Sequence, residues 1–199
     1  VDNVTVTAAG TTDANGQTTV TLTSTTIAVA DITVSAQVGS TASVSTAQKV
    51  TFTADGSNAM ASSVTLKNAD VVSKVADGKN AFIWTVPVKD TNGNLVQGAT
   101  GSPAADKNNV SIVADGTTDA NGQTTVTLTS TTTAVADITV SAQVGSTASV
   151  SADKKVSFTA DSSKAAVSSV TLEGSDVSKV ADGKNAFTLT VTVKDTNGN

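Results

Sequence analysis

The residues best placed to do chemistry are acids and amides set at alternate positions. Asp90, Asn92 and Asn94 carry the one-three-five spacing of oxygen ligands in a calcium loop, as do Asp13, Asn15 and Gln17. A complete loop of that kind needs Gly at its sixth position and Glu at its twelfth. Leu95 and Gly101 stand there in the first motif, Thr18 and Ser24 in the second. The expectation is therefore a tight turn, in which the Asp side chain accepts bonds from the backbone just ahead of it. A second arrangement would hold calcium at domain junctions, Asp55 or Asp161 facing Asp77 or Asp182 of the next domain. Acidic loops on a solvated surface are the simpler reading, so no metal site is expected.

Other chemistry lacks its reagents. The chain has no His, Cys or Tyr, and all 12 of its basic residues are Lys. Most nucleophile–base dyads, thiolate metal sites and bidentate Arg clamps on phosphate are unavailable without them. Ser and Thr are abundant, but no base stands ready to activate them. Trp84, the only Trp, falls at an inward strand position, which reads as core packing and not as a sugar platform. Lys154 and Lys155 read as solvated surface. No catalytic or cofactor-binding residue, no cofactor and no small-molecule substrate is expected, and the chain reads as non-enzymatic. A net charge of −5 and a pI near 4.5 argue against nucleic acid or an anionic membrane as partner.

The elements that carry these residues are strands. Asn80–Lys89 alternates Phe82, Trp84, Val86 and Val88 against Ala81, Ile83, Thr85 and Pro87, the pattern of a half-buried strand. Pro87, with no N–H to give, requires an edge or a bulge at its position. Val126 and Leu128 point inward from Thr125–Ser130, as do Val64 and Leu66, and Val110 and Ile112. Ala136, Ile138, Val140, Ala142 and Val144 form another inward set, and Val156, Phe158 and Ala160 another. Asn-Gly pairs at Asn92-Gly93 and Asn121-Gly122 supply the positive φ of tight turns between strands. No segment has useful helical periodicity. The fold class is all-β, with tandem antiparallel β-sandwich domains of the immunoglobulin-like kind.

The chain also repeats itself. Gly10–Gln17 returns unchanged at Gly116–Gln123, Ala28–Ser45 at Ala134–Ser151, and Lys89–Asn94 at Lys194–Asn199. A period of about 105 residues is a whole small domain, longer than the 20–50 residues of a solenoid unit. The divisions expected are 1–59, the later part of a repeat; 60–161, a complete repeat; and 162–199, the opening part of another.

The string Ser63-Val64-Thr65-Leu66, then Val75-Ala76-Asp77-Gly78-Lys79-Asn80-Ala81-Phe82, then Val88 to Asn94, then Thr117 to Leu128, resembles the bacterial immunoglobulin-like (Big-1 type) repeat of the intimin/invasin adhesins. The resemblance implies rigid stalk or fibre repeats of a surface adhesin, holding a distal binding domain away from the cell. It implies an extracellular place on the bacterial surface, with outer-membrane anchoring through a segment outside this chain. Partners implied are neighbouring repeats, and a host surface receptor met through a domain not in this chain. Leu95–Asn109 departs from the family by looking loop-like where a third strand is expected. The three divisions read as a window on a longer array. The alternative is that the half-domains of successive chains complete each other head to tail, building a filament by strand complementation. A repeat face that itself binds a host protein or glycan is a further alternative.

Overall fold

The computed structural model describes residues 2–199; Val1, the first residue of the expected 1–59 unit, lies outside the described residues. Its strands fall into three groups that pair among themselves. The first group holds β1 (Val4–Ala8), β2 (Val20–Ser24), β3 (Val29–Ile32), β4 (Ser35–Ala36), β5 (Val44–Ser45) and β6 (Val50–Phe52). The central group opens with β7 (Met60–Ala61), β8 (Thr65–Leu66), β9 (Ser73–Val75), β10 (Ala81–Lys89), β11 (Gly101–Ala105) and β12 (Val110–Ala114). It continues through β13 (Gln123–Ser130), β14 (Val135–Ile138), β15 (Val140–Val144), β16 (Val150–Ser151) and β17 (Val156–Thr159). The last group is β18 (Ala166–Leu172) with β19 (Leu189–Lys194). Short 3-10 turns at Gly56–Asn58 and Ser162–Lys164 sit between the groups.

The central group is a two-layer sandwich. One layer runs β12-β13-β10-β7, with β8 also on β10; the other is made of β11-β15-β16 and β14-β17-β9. In the first layer Phe82 faces Leu128 and Trp84 faces Val126 across an antiparallel ladder. Phe82, Trp84, Val86 and Val88 are all essentially inaccessible, as the alternation requires. Phe158 meets them from the opposite layer, its ring 5.1 Å from that of Phe82. The Lys74 ammonium lies over the Phe82 ring, 5.0 Å from its centroid, and donates to Ala81 O, which fastens β9 onto the core.

Several expectations are corrected by the packing. The loop-like stretch Leu95–Asn109 contains β11, an edge strand paired to β15 with Pro103 opposite Ala142. Gly and Pro weaken its pattern, but pairing to a neighbour formed by distant residues supplies the order. Ala136 and Ala160 are exposed, not inward. The cause at Ala136 is Asp137, whose φ of 54° bulges the strand and shifts the β14–β17 register between Val135 and Ile138. Pro87 lies in a strand with neighbours on both sides, and of the edge or bulge expected there the bulge is found: Val88 faces Ala61 but Thr85 faces Thr65, a register shift of one residue. Its carbonyl accepts from Ser62 N at 2.9 Å, so the missing N–H would face the same side, where the partner passes from β7 to β8. One pair also departs from the antiparallel scheme: β9 runs parallel to β17.

The outer groups repeat the central strands with fewer partners. Phe187, Leu189, Val191 and Val193 of the last group match Phe82, Trp84, Val86 and Val88, yet are 44–54% exposed. Val20 and Leu22 of β2 correspond likewise to Val126 and Leu128.

Trp84 is fully buried, and its indole N–H has no hydrogen-bond partner. The matching position in the last group is Leu189. An unsatisfied buried donor costs about 1–3 kcal/mol, which offsets much of the packing that the ring supplies. Trp84→Leu is accordingly expected to cost under about 2 kcal/mol in urea unfolding, whereas Trp84→Ala costs about 3–5 kcal/mol.

Candidate functional site: the junction turns

Four turns share the pattern Asp-x-Asn-Gly-x, at Asp13, Asp90, Asp119 and Asp195. In each, Oδ1 of the Asp accepts from the N–H groups two and four residues ahead, at 2.8–3.0 Å; at Asp90 both distances are 2.9 Å. The Gly supplies the left-handed backbone: φ is 87° at Gly93 and 63° at Gly122. Gly122 also has no room for a side chain, since a Cβ there would lie 2.9 Å from that of Leu95 and 3.0 Å from Val96 N. Gly122 O accepts from Val88 N at 2.8 Å, and this close approach seats the Asp119 turn beside the Asp90 turn.

The four turns then divide by their fifth residue. Gln17 and Gln123 end two of them, and the carboxylates of Asp13 and Asp119 lie exposed, bonded within their own turns. Asn94 and Asn199 end the other two, and there the Asp is buried. Asn94 Nδ2 donates to Asp90 Oδ2 at 2.9 Å and to Thr26 O, in the first strand group, at 2.8 Å. Its Oδ1 accepts from Ala28 N at 2.8 Å. Asp90 Oδ2 also accepts from Asp55 N in the connecting segment, at 3.0 Å. Asp55 in turn caps the following 3-10 turn, accepting from Ser57 N at 3.0 Å and Ser57 Oγ at 2.6 Å.

The same arrangement recurs between the central and last groups. Asn199 Nδ2 donates to Thr132 O at 2.8 Å and to Asp195 Oδ2 at 3.0 Å, and Asn199 Oδ1 accepts from Ala134 N at 2.7 Å. Asp195 Oδ2 accepts from Asp161 N at 3.0 Å, and Asp161 accepts from Ser163 N and Oγ.

These contacts decide the readings of the acids. Each oxygen of Asp90 and of Asp195 accepts two N–H bonds, so every lone-pair direction of both carboxylates already faces a donor. A donor-lined carboxylate is a poor calcium ligand, and the calcium-loop spacing of Asp90, Asn92 and Asn94 serves a turn. The residue opposite Asp55 is Asp90, and the one opposite Asp161 is Asp195. Asp77 and Asp182 are instead occupied with the backbone N–H groups of Lys79 and Asn80, and of Lys184 and Asn185. The sequence reading passed over Asn94 and Asn199 as contacts between groups. The available signal was the fifth residue, since Asn at that place is short enough to bond both its own Asp and a neighbour.

The donors hold both carboxyls in the charged form. The Asn94 side chain, with Asp55, Asn94 and Asn92 N–H groups, brings Asp90 down to about 2. Asp195 is lowered as well, by the Asn199 side chain first and then by Asp161 N–H. A depressed carboxyl contributes stability that is whole above its unfolded value of about 3.9 and is lost as pH falls through its folded value. The contact between groups is therefore expected to persist at pH 3 and to open below about pH 2. A carbon-13 titration of the Asp90 carboxyl, midpoint near 2, checks this; a midpoint near the ordinary value of about 3.9 contradicts it.

Residues 61–159 match the family model of the bacterial Ig-like domain, group 1. Among solved structures, the D0–D1 domains of intimin are 28% identical over 68% of this chain, with a TM-score of 0.44. Invasin, described as a bacterial integrin-binding protein, is 27% identical over 98%, at 0.48. The Escherichia coli adhesin FdeC is 19% identical over 100%, at 0.53, a likeness of fold. The chain spans 66%, 39% and 63% of those three chains, under two thirds of each. No protein of curated function matches the sequence.

Proposed function

We propose, from the membership of residues 61–159 in the bacterial Ig-like (group 1) family, that this chain is a run of stalk repeats in a bacterial surface adhesin. In this reading its units are 1–59, 60–161 and 162–199, and its work is mechanical and non-enzymatic. The observation that carries the reading is the recurrence of one clamp, Asp90 with Asn94 and Asp195 with Asn199, on either side of the central unit. A flexible linker needs no such device, because two compact units joined by an unrestrained segment move independently by default. Here each connecting segment is short, capped at Asp55 or Asp161, and tied to the following unit through a buried carboxylate. Stiff junctions in series convert domain count into reach. The binding domain that such a stalk would present to a host receptor, and the segment that would anchor it in the outer membrane, belong to other parts of the protein.

The test is whether adjacent units share one orientation in solution. Residual dipolar couplings from β2 and β6 and from β10 and β13 are expected to fit a single alignment tensor. Two unrelated tensors would overturn the stalk reading.

The exposed apolar faces of the outer groups favour a second reading, in which those faces pair between copies. The central unit supplies the register: Thr85 stands opposite Thr125, so Thr190 of one chain would stand opposite Thr19 of the next. A chain carrying Thr19→Cys and Thr190→Cys is then expected to form an intermolecular disulfide ladder on mild oxidation, and a product that stays monomeric rules the pairing out.

A further inference from the structure

We infer that the Asp–Asn turn of each unit recognises the backbone, and not the side chains, of the loop it meets in the unit before it. This deepens the stalk reading and rests on it for the roles of the units. The partner surface it assigns is a carbonyl and an N–H two residues apart in an extended loop, which any preceding repeat of this shape presents.

Two natural variations within the chain support the inference. The loop that receives Asn94 runs Thr26-Ile27-Ala28, and the loop that receives Asn199 runs Thr132-Thr133-Ala134. The middle residue changes from a branched alkyl group to a hydroxyl. The clamp does not respond: the paired distances are 2.8 and 2.8 Å at the first junction and 2.8 and 2.7 Å at the second. Ile27 is 42% exposed and Thr133 is exposed too, so both side chains point away from the amide that bonds on either side of them. The connecting segments vary in the same way. Gly56-Ser57-Asn58 follows Asp55, and Ser162-Ser163-Lys164 follows Asp161. Each nonetheless offers its Asp backbone N–H to the clamping carboxylate at 3.0 Å.

The recognising side does not vary. Asp, Thr, Asn, Gly and Asn occupy Asp90–Asn94 and Asp195–Asn199 alike. Asn is a suitable reader because its carboxamide has a donor and an acceptor side by side, matching the carbonyl and N–H of a peptide edge. Asp90 acts as a positioning residue: it accepts one proton of the Asn94 amide and so points the other at Thr26 O. The turn that ends in Gln123 keeps the same backbone bonds with a side chain one methylene longer, and among the described residues it makes no such contact with the group before it. The fifth residue therefore separates junction turns from ordinary hairpin turns.

The experiment compares amide hydrogen exchange and alignment tensors in the 199-residue chain and its variants. Ala28 N–H is the reporter, because its bond is to Asn94 Oδ1. Asn94→Ala and Asn94→Gln are expected to raise Ala28 exchange at least tenfold and to split the common alignment tensor, while β10 and β13 amides stay protected. Ile27→Thr, and Thr133→Ile at the other junction, are expected to change Ala28 and Ala134 exchange by less than twofold. If Asn94→Ala perturbs the central unit itself, Asn199→Ala serves in its place, read at Ala134, since Asn199 lies outside that unit. Unchanged reporter exchange in the Asn variants would overturn the inference, as would loosening by Ile27→Thr equal to that by Asn94→Ala. Failure of the unmodified chain to fit one tensor strikes the stalk reading instead, so the two failures are told apart.

Discussion

A carboxylate taken out of water must have its charge answered, and that requirement organises this molecule. Asp90 is 4% exposed and unaccompanied by any cation at bonding distance among the described residues. Its charge is met by four N–H bonds from two separate stretches of chain: three from its own turn, the Asn94 side chain among them, and one from the connecting segment at Asp55. Removing any of these leaves a buried charge partly unsatisfied, which costs more than the bond itself is worth. The turn, the connecting segment and the reach to the preceding unit are thereby held as one arrangement.

The sandwich behind this turn places it. β10 carries the largest buried side chains on its inner face and delivers Asp90 at its end, directly after Val88 and Lys89. Gly122, on the hairpin beside it, lets Leu95 and Val96 approach closely enough for the two Asp turns to lie together. Because core and junction share the strand β10, the packing of Phe82, Trp84 and Val86 sets where the Asp90 turn lies. The outer face contributes little beyond solubility and strand propensity: Thr85 lies between Thr65 and Thr125, a row of small β-branched hydroxyls.

The proposed stalk would need interfaces that tolerate change in neighbouring repeats. Backbone recognition has that property, because peptide groups keep their geometry while side chains drift. The same chemistry gives acids and amides spaced like calcium ligands another use: both oxygens of Asp90 and of Asp195 are turned toward N–H donors.

Composition, the 105-residue period and the alternation of Phe82, Trp84, Val86 and Val88 made the fold class and the repeated organisation legible from sequence alone. Those features are local or self-referential, so a single chain suffices to read them. The sequence also marked every Asp-x-Asn-Gly turn, since positive φ and Asx bonding are properties of a few adjacent residues. Tertiary structure alone decided what depends on distant partners. β11 exists because β15 pairs with it, Ala136 turns outward because of the bulge at Asp137, and Pro87 is accommodated where β7 gives way to β8. It also decided which of four like turns become junctions. Asn94 and Asn199 meet backbone that lies 66 and 65 residues away, and a hydrogen bond to a peptide group leaves no mark in the identity of the residue that offers it.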